Sequence, residues 1–498
     1  MGVGLIILLQ RGKGVFLMET TWIQVFIILV YIGVLFGISW YVKRRAAGSS
    51  ENYVLAGRKL TTPLIMVSIV GLAVGGASTI GVAEQAYKVG LSAGWYTAAW
   101  GIGAIVMGLT VAKKYRRLNI TTIPEMLERY YDKKGAIAGI FCQVLVQLVV
   151  MSLQFVAGGA ILSALMPAIF TPLTGMLVSA VVFIGITVIG GMWSASQSNV
   201  LNVTLQYIGI TVAAFLILAA AGGIDVVAIQ APTIHSLDFI SGVGPMTIIT
   251  WIVVLITVNL SLQAIIQISL GAKDVQTARK GFIIGGLVML PVGFIAAFLG
   301  VIAAEMYPNI SATTALPKLI MSLNPWIAGV TLASLWAADV STACNLLLSA
   351  ATLYSHDIHK RFIEPDMSDA KYMRVTRISV VLLGLLTLCG ALTISGIIAT
   401  LMAGLSLMAA FGVIVLMTMY APKYCAKEAA FYTIIASIVV LVAWMFVPAV
   451  RILPHVIYTE WIVCGGMFLG ISALSHNTIK VEGMEMEKEK TVTVPAQH

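Results

Sequence analysis

The sequence predicts an all-α protein that crosses a membrane many times. Apolar runs of about 18–25 residues recur along the chain, which is the length that a helix needs to cross about 30 Å of hydrocarbon. Of the 498 residues, 59% are hydrophobic and only 10% are charged, and a soluble fold of this size cannot bury that much apolar surface. A transmembrane β-barrel would instead show alternating segments of about ten residues, and the sequence shows none.

Hydropathy divides the chain into about thirteen spans that are separated by short polar segments. In chain order, the predicted spans cover residues 22–42, 63–87, 93–112, 136–166, 173–190, 198–222, 246–270, 282–305, 327–355, 375–395, 398–420, 428–449 and 456–475.

Both ends of the chain lie outside these spans. Residues 1–21 begin with a short apolar stretch that precedes Arg11 and Lys13, whereas a signal peptide carries its positive charge before the apolar stretch. We therefore expect 1–21 to be an extension that arises from a mis-called start, with Met18 as a more ordinary beginning. Residues 22–475 are predicted to form one transmembrane domain, and the polar residues 476–498 a disordered cytoplasmic tail.

The formal charge of +9 is better explained by membrane topology than by a nucleic-acid-binding surface. Lys and Arg gather in alternate loops between the spans, and cytoplasmic loops carry such an excess. We therefore expect the basic loops to be cytoplasmic, with the N-terminus outside and the C-terminus inside the cell membrane, as an odd number of spans requires. The basic loops hold Lys43, Arg44, Arg45, Arg58, Lys59, Lys113, Lys114, Arg116, Arg117, Arg129, Lys133, Lys134, Lys273, Arg279, Lys280, Lys360, Arg361, Lys371, Arg374, Arg377, Lys423 and Lys427.

Small residues interrupt the second span near its middle. Gly71, Gly75, Gly76 and Ser78 lie within eight positions of one another, and adjacent glycines weaken a helix while small residues let other backbones approach. The pattern is typical of a tight helix-packing face. It is equally typical of a broken helix whose freed carbonyls face an ion.

Two spans carry amide side chains along one helical face. Such amides can hydrogen-bond between helices, or they can line a polar cavity for a neutral or zwitterionic solute, because an amide both donates and accepts. The two stripes consist of Gln143, Gln147 and Gln154 in the span at 136–166, and of Asn259, Gln263 and Gln267 in the span at 246–270.

Asp339 lies inside the span at 327–355, close to Ser341 and Thr342. A carboxylate inside a membrane is costly and is a functional hypothesis by default, although a structural partnership with a nearby hydroxyl or amide is the alternative. A hard cation such as Na⁺ prefers hydroxyl, carbonyl and carboxylate oxygens. The segment therefore indicates a cation site, or else a carboxyl group that carries a proton.

The sequence carries no enzyme signature. It has no His/Cys/Asp cluster with metal-ligand spacing, no phosphate-binding Gly-Lys loop and no nucleophile elbow. His356 and His359 flank Asp357 at the end of a span, where we expect a solvated helix end. No Lys or Arg lies deep in a span, so the sequence predicts no buried cationic side chain that could bind an anionic solute.

Taken in order, several motifs resemble the sodium:solute symporter family, whose members include proline, pantothenate, sugar and sialic acid carriers. The resemblance covers about residues 22–430, and its specificity lies in the order and spacing of motifs that are weak one by one. The motifs are Glu51–Arg58, Gly76–Gly81 with Tyr87 and Gly90, Gly190–Gly191 with Trp193, Gln267–Lys273 with Lys280, and Ser341–Thr342 followed by Asp357 and Lys360.

The resemblance implies a leucine-transporter-like fold. One leading helix precedes a five-plus-five inverted repeat at about residues 63–420, and two helices follow it. The spans at 63–87 and 246–270 would be the two broken core helices, which enter from opposite sides. The resemblance also implies symport of Na⁺ with a small organic solute across the cytoplasmic membrane by alternating access.

Carried over position by position, the family's sodium site would use the backbone carbonyls of Gly71, Val74 and Ala338 and the hydroxyls of Ser341 and Thr342. Asp339 is a further candidate ligand that the family pattern does not contain.

A second sodium site, present in part of the family, requires an Asp where this chain has Ser198 and Asn199, and Asn202 stands where a Gln is usual. The resemblance therefore predicts one Na⁺ per transport cycle. A measured ratio of two would indicate that Asp339 rebuilds a second site.

The predicted solute site combines the intramembrane amides with one hydroxyl, at Ser78, Gln143, Gln147, Asn259 and Gln263. We expect a small neutral, zwitterionic or monocarboxylate solute. A dicarboxylate would need more positive charge than a helix end supplies, which is about half an elementary charge.

Three other functions stay open at this point. A proton-coupled carrier of the same fold would use Asp339 as its proton site. A membrane sensor is disfavoured because the residues after Ser475 are too few for a kinase or receiver domain, and a channel is disfavoured by the inverted pair of broken helices.

Overall fold

The computed structural model describes residues 16–220, 223, 237–392, 397–475 and 478–479. Within these residues the chain is built almost entirely of helices. In chain order they are α1 (Phe16–Ala46), α2 (Ser50–Leu55), α3 (Thr62–Ala73), α4 (Ile80–Val89), α5 (Trp95–Leu109), α6 (Ala112–Leu118), α7 (Ile123–Tyr130), α8 (Lys133–Leu165), α9 (Pro172–Ala220), α10 (Pro245–Ser261), α11 (Gln263–Leu270), α12 (Val275–Met306), α13 (Ala315–Ile320), α14 (Pro325–Thr352), α15 (Asp369–Ala391), α16 (Ile397–Ser406), α17 (Met408–Tyr420), α18 (Ala429–Phe446) and α19 (Val456–Leu474).

Helix α9 folds back on itself at Gly191. A straight helix of 49 residues would be about 74 Å long at about 1.5 Å per residue, more than twice the thickness of the hydrocarbon layer. Ser179 and Gly209 nevertheless both meet one short stretch of α14: Trp336 Nε1 donates to Ser179 Oγ at 2.9 Å, and Gly209 packs against Ser334. The arms 172–190 and 192–220 are therefore two antiparallel spans, as the sequence predicts.

A glycine is required at this reversal. Gly191 has φ 52° and ψ −136°, a conformation that residues with a Cβ rarely adopt. A Cβ at this position would also collide with the backbone carbonyl of Tyr53.

The membrane spans agree with the predicted number. Within the described residues, eight helices are long and apolar enough to cross a membrane, or up to eleven when each of three bent helix pairs counts as one span. Counting α9 as two spans and α16 with α17 as one span gives the expected thirteen. The largest differences lie at helix ends: α1 begins at Phe16, and the helix of α14 continues as a π-helix over Leu353–Ile363, where polar residues end the hydropathy signal.

Two broken helices run through the centre in opposite directions. The pair α3–α4 bends by 73° and the pair α10–α11 by 50°. The residues that lead into α3 pair with those that follow α11, because Leu60 N donates to Gly271 O and Lys273 N donates to Leu60 O, both at 3.0 Å. An antiparallel pair of broken helices is the arrangement that an inverted repeat produces.

The basic loops gather at this same end of the molecule, which we call the basic end. Arg58 donates to the carbonyls of Ile120 at 2.9 Å and Leu270 at 3.4 Å, and Arg116 donates to Ala272 O at 2.7 Å. These loops therefore share one surface, as the topology prediction requires.

Two predicted segments fall mostly on residues that the structure does not describe. The proposed extension 1–21 lies outside the described residues up to position 15, and the proposed tail 476–498 lies outside them except for residues 478–479. Ile479 is buried and its N–H donates to Cys425 O at 2.9 Å, so this part of the tail packs against the loop before α18.

Candidate functional site

The break between α3 and α4 releases backbone carbonyls in the centre of the protein. Helix α3 ends at Ala73, and Val74 has the non-helical angles φ −98° and ψ 60°. Ser78 Oγ donates to Ala73 O at 2.7 Å, and Gln206 Nε2 donates to Val74 O at 2.9 Å. Side chains thus replace the helical hydrogen bonds that the break removes, as buried backbone groups in a membrane protein require.

Helix α14 presents two hydroxyls to the same break. Ser341 Oγ lies 2.9 Å from Gly71 O and 2.8 Å from Ala338 O, and Thr342 Oγ1 lies 2.9 Å from Gly71 O. These three contacts link four of the five predicted sodium ligands. The fifth, Val74 O, belongs to the same break but is bonded to the Gln206 amide.

The chemistry of this group suits Na⁺. All four groups present oxygen atoms, the type of ligand that hard cations prefer, and Ser341 and Thr342 are 2% and 3% exposed. A hydroxyl can turn its lone pairs toward a cation in place of its hydrogen bond to a carbonyl. Gly75 makes the approach of Thr342 possible, because a Cβ on Gly75 would collide with Thr342 Oγ1.

Asp339 lies one helical turn from Thr342 and has a different neighbour. It is completely buried, and its carboxylate packs against the backbone of Gly76, where a Cβ would come within 2.5 Å of Asp339 Oδ1. The Gly76 N–H donates to Gln154 Oε1 at 3.0 Å. Among the described residues, neither Asp339 oxygen accepts a hydrogen bond.

Asn199 and Asn202, the amides at the position of the family's second sodium site, differ in their hydrogen bonding. Asn199 packs against Gly71, whose Cβ would lie 2.9 Å from Asn199 Cγ, and neither polar atom of its amide has a hydrogen-bond partner in the described part of the chain. Asn202 Oδ1 accepts from Tyr31 OH at 2.6 Å. This place next to the predicted sodium ligands therefore contains neutral amides.

Two of the predicted solute residues hold the second broken helix together. Gln143 Nε2 donates to Ser261 O at 2.8 Å and Gln143 Oε1 accepts from Gln263 N at 3.1 Å, so one side chain bonds both sides of the α10–α11 break. The Gln263 side chain in turn accepts from Ile123 N at 2.8 Å and donates to Thr121 O at 3.2 Å.

The other predicted solute residues keep fewer partners. Gln147 Nε2 donates to Gln143 O at 3.1 Å, and Asn259 Nδ2 donates to Leu255 O at 2.8 Å. The carbonyl oxygens of these two amides accept no hydrogen bond from the described residues. The Ser78 hydroxyl is bonded to the backbone of its own break, as described above.

A small cavity separates the two breaks. The space open to the centre of a water molecule is about 20 Å³, enough for one or two waters, so a solute requires this cavity to widen. None of the five predicted solute residues lines this cavity. Of the residues in the two amide stripes, Gln154 lines it. The cavity is lined by Leu72, Ala73, Gly75, Ala77, Tyr96, Trp100, Val150, Gln154, Leu262, Thr342, Leu346 and Leu401.

Sequence reasoning missed the aromatic and aliphatic part of this lining. Tyr96 and Trp100 resemble any other apolar helix residue in sequence, and only the fold brings them beside the breaks. It also missed Glu460, a fully buried carboxylate in α19 that accepts from Ser406 Oγ at 3.4 Å. The rule that singled out Asp339 would have found Glu460, because both are acidic residues inside apolar spans.

The basic end carries a buried ionic cluster where a solvated helix end was expected. Asp357 is completely buried; its Oδ1 accepts from Thr122 Oγ1 at 2.8 Å and lies 3.6 Å from Arg361. Arg361 also pairs with Glu128 of α7. The expectation for Asp357 was wrong because the segment that contains α7 covers this end of α14, a tertiary contact that hydropathy does not reveal.

Comparison with known proteins adds independent findings. The model of the sodium:solute symporter family matches residues 53–437. The sodium/glucose cotransporter of Vibrio parahaemolyticus is 28% identical over 77% of this chain and 76% of its own length. An uncharacterised symporter of Escherichia coli strain K12, YidK, is 28% identical over 68% of this chain, and the matched region is 63% of its length.

One solved structure shares the architecture over nearly the whole chain. A Na⁺-coupled sialic acid symporter in a substrate-bound outward-open state superposes with a TM-score of 0.78, over 92% of this chain and 99% of that chain, at 16% identity. This likeness concerns the fold, which is a leucine-transporter-like inverted repeat.

Proposed function

Because the chain belongs to the sodium:solute symporter family, we propose that the oxygens between α3 and α14 bind the Na⁺ that drives its transport cycle. The protein is a multi-pass membrane transporter, and its function is Na⁺-coupled symport of a small organic solute. The observation that carries the assignment of the site is the contact of Ser341 and Thr342 with Gly71 O. It joins two helices that belong to opposite repeats.

The position of this site explains how Na⁺ can control access. Gly71 lies at the end of α3, beside the break, and Ser341 and Thr342 lie in the middle of α14. A cation bound by both helices favours conformations in which they are close, because a ligand stabilises the states that bind it best. Loss of the cation removes that preference and allows α3 and α14 to separate, as alternating access requires.

We propose that the solute binds between the two breaks. The cavity there adjoins the sodium site, since Thr342 and Gly75 belong to its lining. Ser78, Gln143, Gln147, Asn259 and Gln263 stay our proposed solute contacts, and the free carbonyl oxygens of Gln147 and Asn259 are acceptors for solute hydroxyl or amine groups. The proposed solute is neutral, zwitterionic or a monocarboxylate. The named solute of the Vibrio relative, glucose, is neutral.

We also propose the orientation of the chain. The basic end contains the loops with most of the Lys and Arg, so it faces the cytoplasm under the positive-inside rule. The N-terminus is then outside and the C-terminus inside the cell membrane. A cysteine-reactive, membrane-impermeant reagent applied to intact cells tests this with Lys360→Cys and Trp326→Cys, since only the second should react from outside.

A thermal-shift screen of the purified protein tests the proposed function. A ligand that binds the folded state raises its apparent stability by mass action, so NaCl should raise the melting temperature relative to KCl. A solute from the proposed class should raise it further, and only in the presence of Na⁺. Equal melting temperatures in NaCl and KCl would argue against the proposed site.

A further inference from the structure

The carboxylate of Asp339 has no compensation among the described residues. It is completely buried, neither oxygen accepts a hydrogen bond, and no Lys, Arg or His of the described chain forms an ion pair with it. A buried, unpaired charge in a membrane protein is strongly unfavourable. A carboxyl group in this place therefore carries either a proton or a bound cation.

The surroundings of Asp339 are shaped around its carboxylate. On one side Gly76 exposes its bare Cα, and a Cβ there would overlap both Asp339 Oδ1 and the Ala157 side chain. The amide oxygen of Gln154 lies beside the same peptide, bonded to Gly76 N at 3.0 Å. A charged oxygen and a neutral amide oxygen therefore flank one peptide of the break.

This place adjoins the hydroxyl site, by which we mean the oxygens of Ser341, Thr342, Gly71 and Ala338, because Gln154 Oε1 and Thr342 Oγ1 both lie against Gly75. The carboxylate nevertheless faces a different part of the break. Thr342 reaches back to Gly71, at the end of α3, whereas Asp339 faces Gly76, on the far side of the break. Asp339 and Thr342 are one turn apart on α14, about 4.5 Å along the helix axis. Two cation positions so close are compatible when an anionic carboxylate lies beside one of them, because it offsets their mutual repulsion.

We propose that Asp339, with Gln154 beside it, forms a second subsite for a small monovalent cation, which we infer to be Na⁺. Carboxylate and amide oxygens are ligands for a hard cation. The expectation of one Na⁺ per cycle assumes that Na⁺ binds only at the hydroxyl site, because the neutral Asn199 replaces the carboxylate of the family's second site. The Asp339 subsite adds a second cation, held by α14 in place of a carboxylate near Asn199.

The proposal rests on the proposed sodium function, and direct binding of ²²Na⁺ to the purified, solute-free protein tests the two separately. The wild type should bind two Na⁺ per protein. Asp339→Asn should bind one Na⁺, with the wild-type affinity of the hydroxyl site. Ser341→Ala with Thr342→Ala should lose the Na⁺ of the hydroxyl site and keep the one at the Asp339 subsite. Glu460→Gln is the matched control, because it also neutralises a buried carboxylate in a span; it should keep both.

Each alternative has its own signature in this assay. One Na⁺ in the wild type, lost only with the hydroxyls, would overturn the Asp339 subsite and leave the proposed function intact. One Na⁺ that either variant abolishes would place Asp339 in the hydroxyl site and also overturn a separate subsite. Absence of saturable Na⁺ binding in the wild type would contradict the proposed function itself. A wild-type count of one Na⁺ overturns the separate subsite even if Asp339→Asn does not fold.

Discussion

At the scale of single residues, the proposed sodium site depends on groups that sequence motifs identify and on distances that they do not. Ser341, Thr342 and Gly71 were predicted from the resemblance, and the structure places each of the two hydroxyl oxygens 2.9 Å from Gly71 O. The role of Gln143 was not predicted. A polar stripe on a helix face looks the same whether it binds a solute or satisfies the carbonyls of a neighbouring break, and only the path of α10 and α11 distinguishes the two.

Gly75→Ala should weaken Na⁺ binding by about tenfold or more. The added methyl group collides with Thr342 Oγ1 and with the Gln154 amide, so the hydroxyl must leave its place beside Gly71. A lost hydrogen-bonding group of this kind is worth about 1–3 kcal/mol. The measurement is the Na⁺ concentration that gives half of the thermal stabilisation by NaCl.

The control for this change is Gly470→Ala in α19. A Cβ at Gly470 meets nothing within 4 Å, and alanine favours a helix more than glycine does. Its half-maximal Na⁺ concentration should equal that of the wild type. An equal effect of both substitutions would show that Gly75 has no special role at the site.

At the scale of elements, hydropathy predicted where the spans lie but not where all of them end. The predicted spans 173–190 and 198–222 correspond to the two arms of α9, although the helix is continuous in hydrogen bonding apart from Gly191. Hydropathy worked here because the membrane limits the length of a span, and the reversal at Gly191 divides α9 into two arms of about that length. It failed at Leu353–Ile363, because that π-helical end is covered by α7 and contains residues that are polar in sequence.

Gly191→Ala should destabilise the fold, by about 1–3 kcal/mol for the strained backbone alone. The substitution places a Cβ at φ 52° and against Tyr53 O, so it disturbs the reversal of α9 and its contact with α2. Apparent melting temperature in detergent is the readout. Gly33→Ala in α1, where a Cβ meets nothing within 4 Å, should leave the temperature unchanged or raise it slightly; a similar loss in both variants would refute the argument.

Asp357→Asn should lower the melting temperature through the cluster at the basic end. The amide can still accept from Thr122, but it loses the charge that faces Arg361 and His356 at 3.6 and 3.2 Å. Charge-assisted hydrogen bonds of buried groups contribute about 1.5–3 kcal/mol.

The control is an exposed ion pair, Lys371 with Glu364 at 2.5 Å, where Glu364→Gln should cost about 0–1 kcal/mol. Equal shifts in the two variants would mean that the burial of Asp357 brings no additional stability.

At the scale of the whole molecule, the number of spans, the two opposed broken helices and the proximity of Ser341 and Thr342 to Gly71 follow from sequence because each has a strong physical constraint. The membrane fixes span length, glycines permit the break, and a buried hydroxyl pair needs oxygen partners. The solute cavity has no such constraint. Its lining comes from five or more helices that are distant in sequence, and apolar residues such as Tyr96 and Leu401 carry no local signal of their position.

The dimensions of the cavity also set an expectation for the transport cycle. About 20 Å³ admits water but no organic solute, so the helices around the breaks must move apart before a solute binds. The carbonyl that Ser341 and Thr342 contact lies in one of those helices. Na⁺ binding and cavity opening therefore involve the same contact, which is the basis of coupling in this account.

The most direct test of this account is solute uptake into proteoliposomes at varied external Na⁺. The solute is one that the thermal-shift screen identifies. The comparison is between wild type, Ser341→Ala with Thr342→Ala, and the control Thr376→Ala with Ser379→Ala, whose hydroxyls donate to carbonyls of their own helix α15. The first double variant should need at least about tenfold more Na⁺ for half-maximal uptake, while the control should match the wild type. Unchanged Na⁺ dependence in a folded Ser341→Ala, Thr342→Ala protein would contradict it.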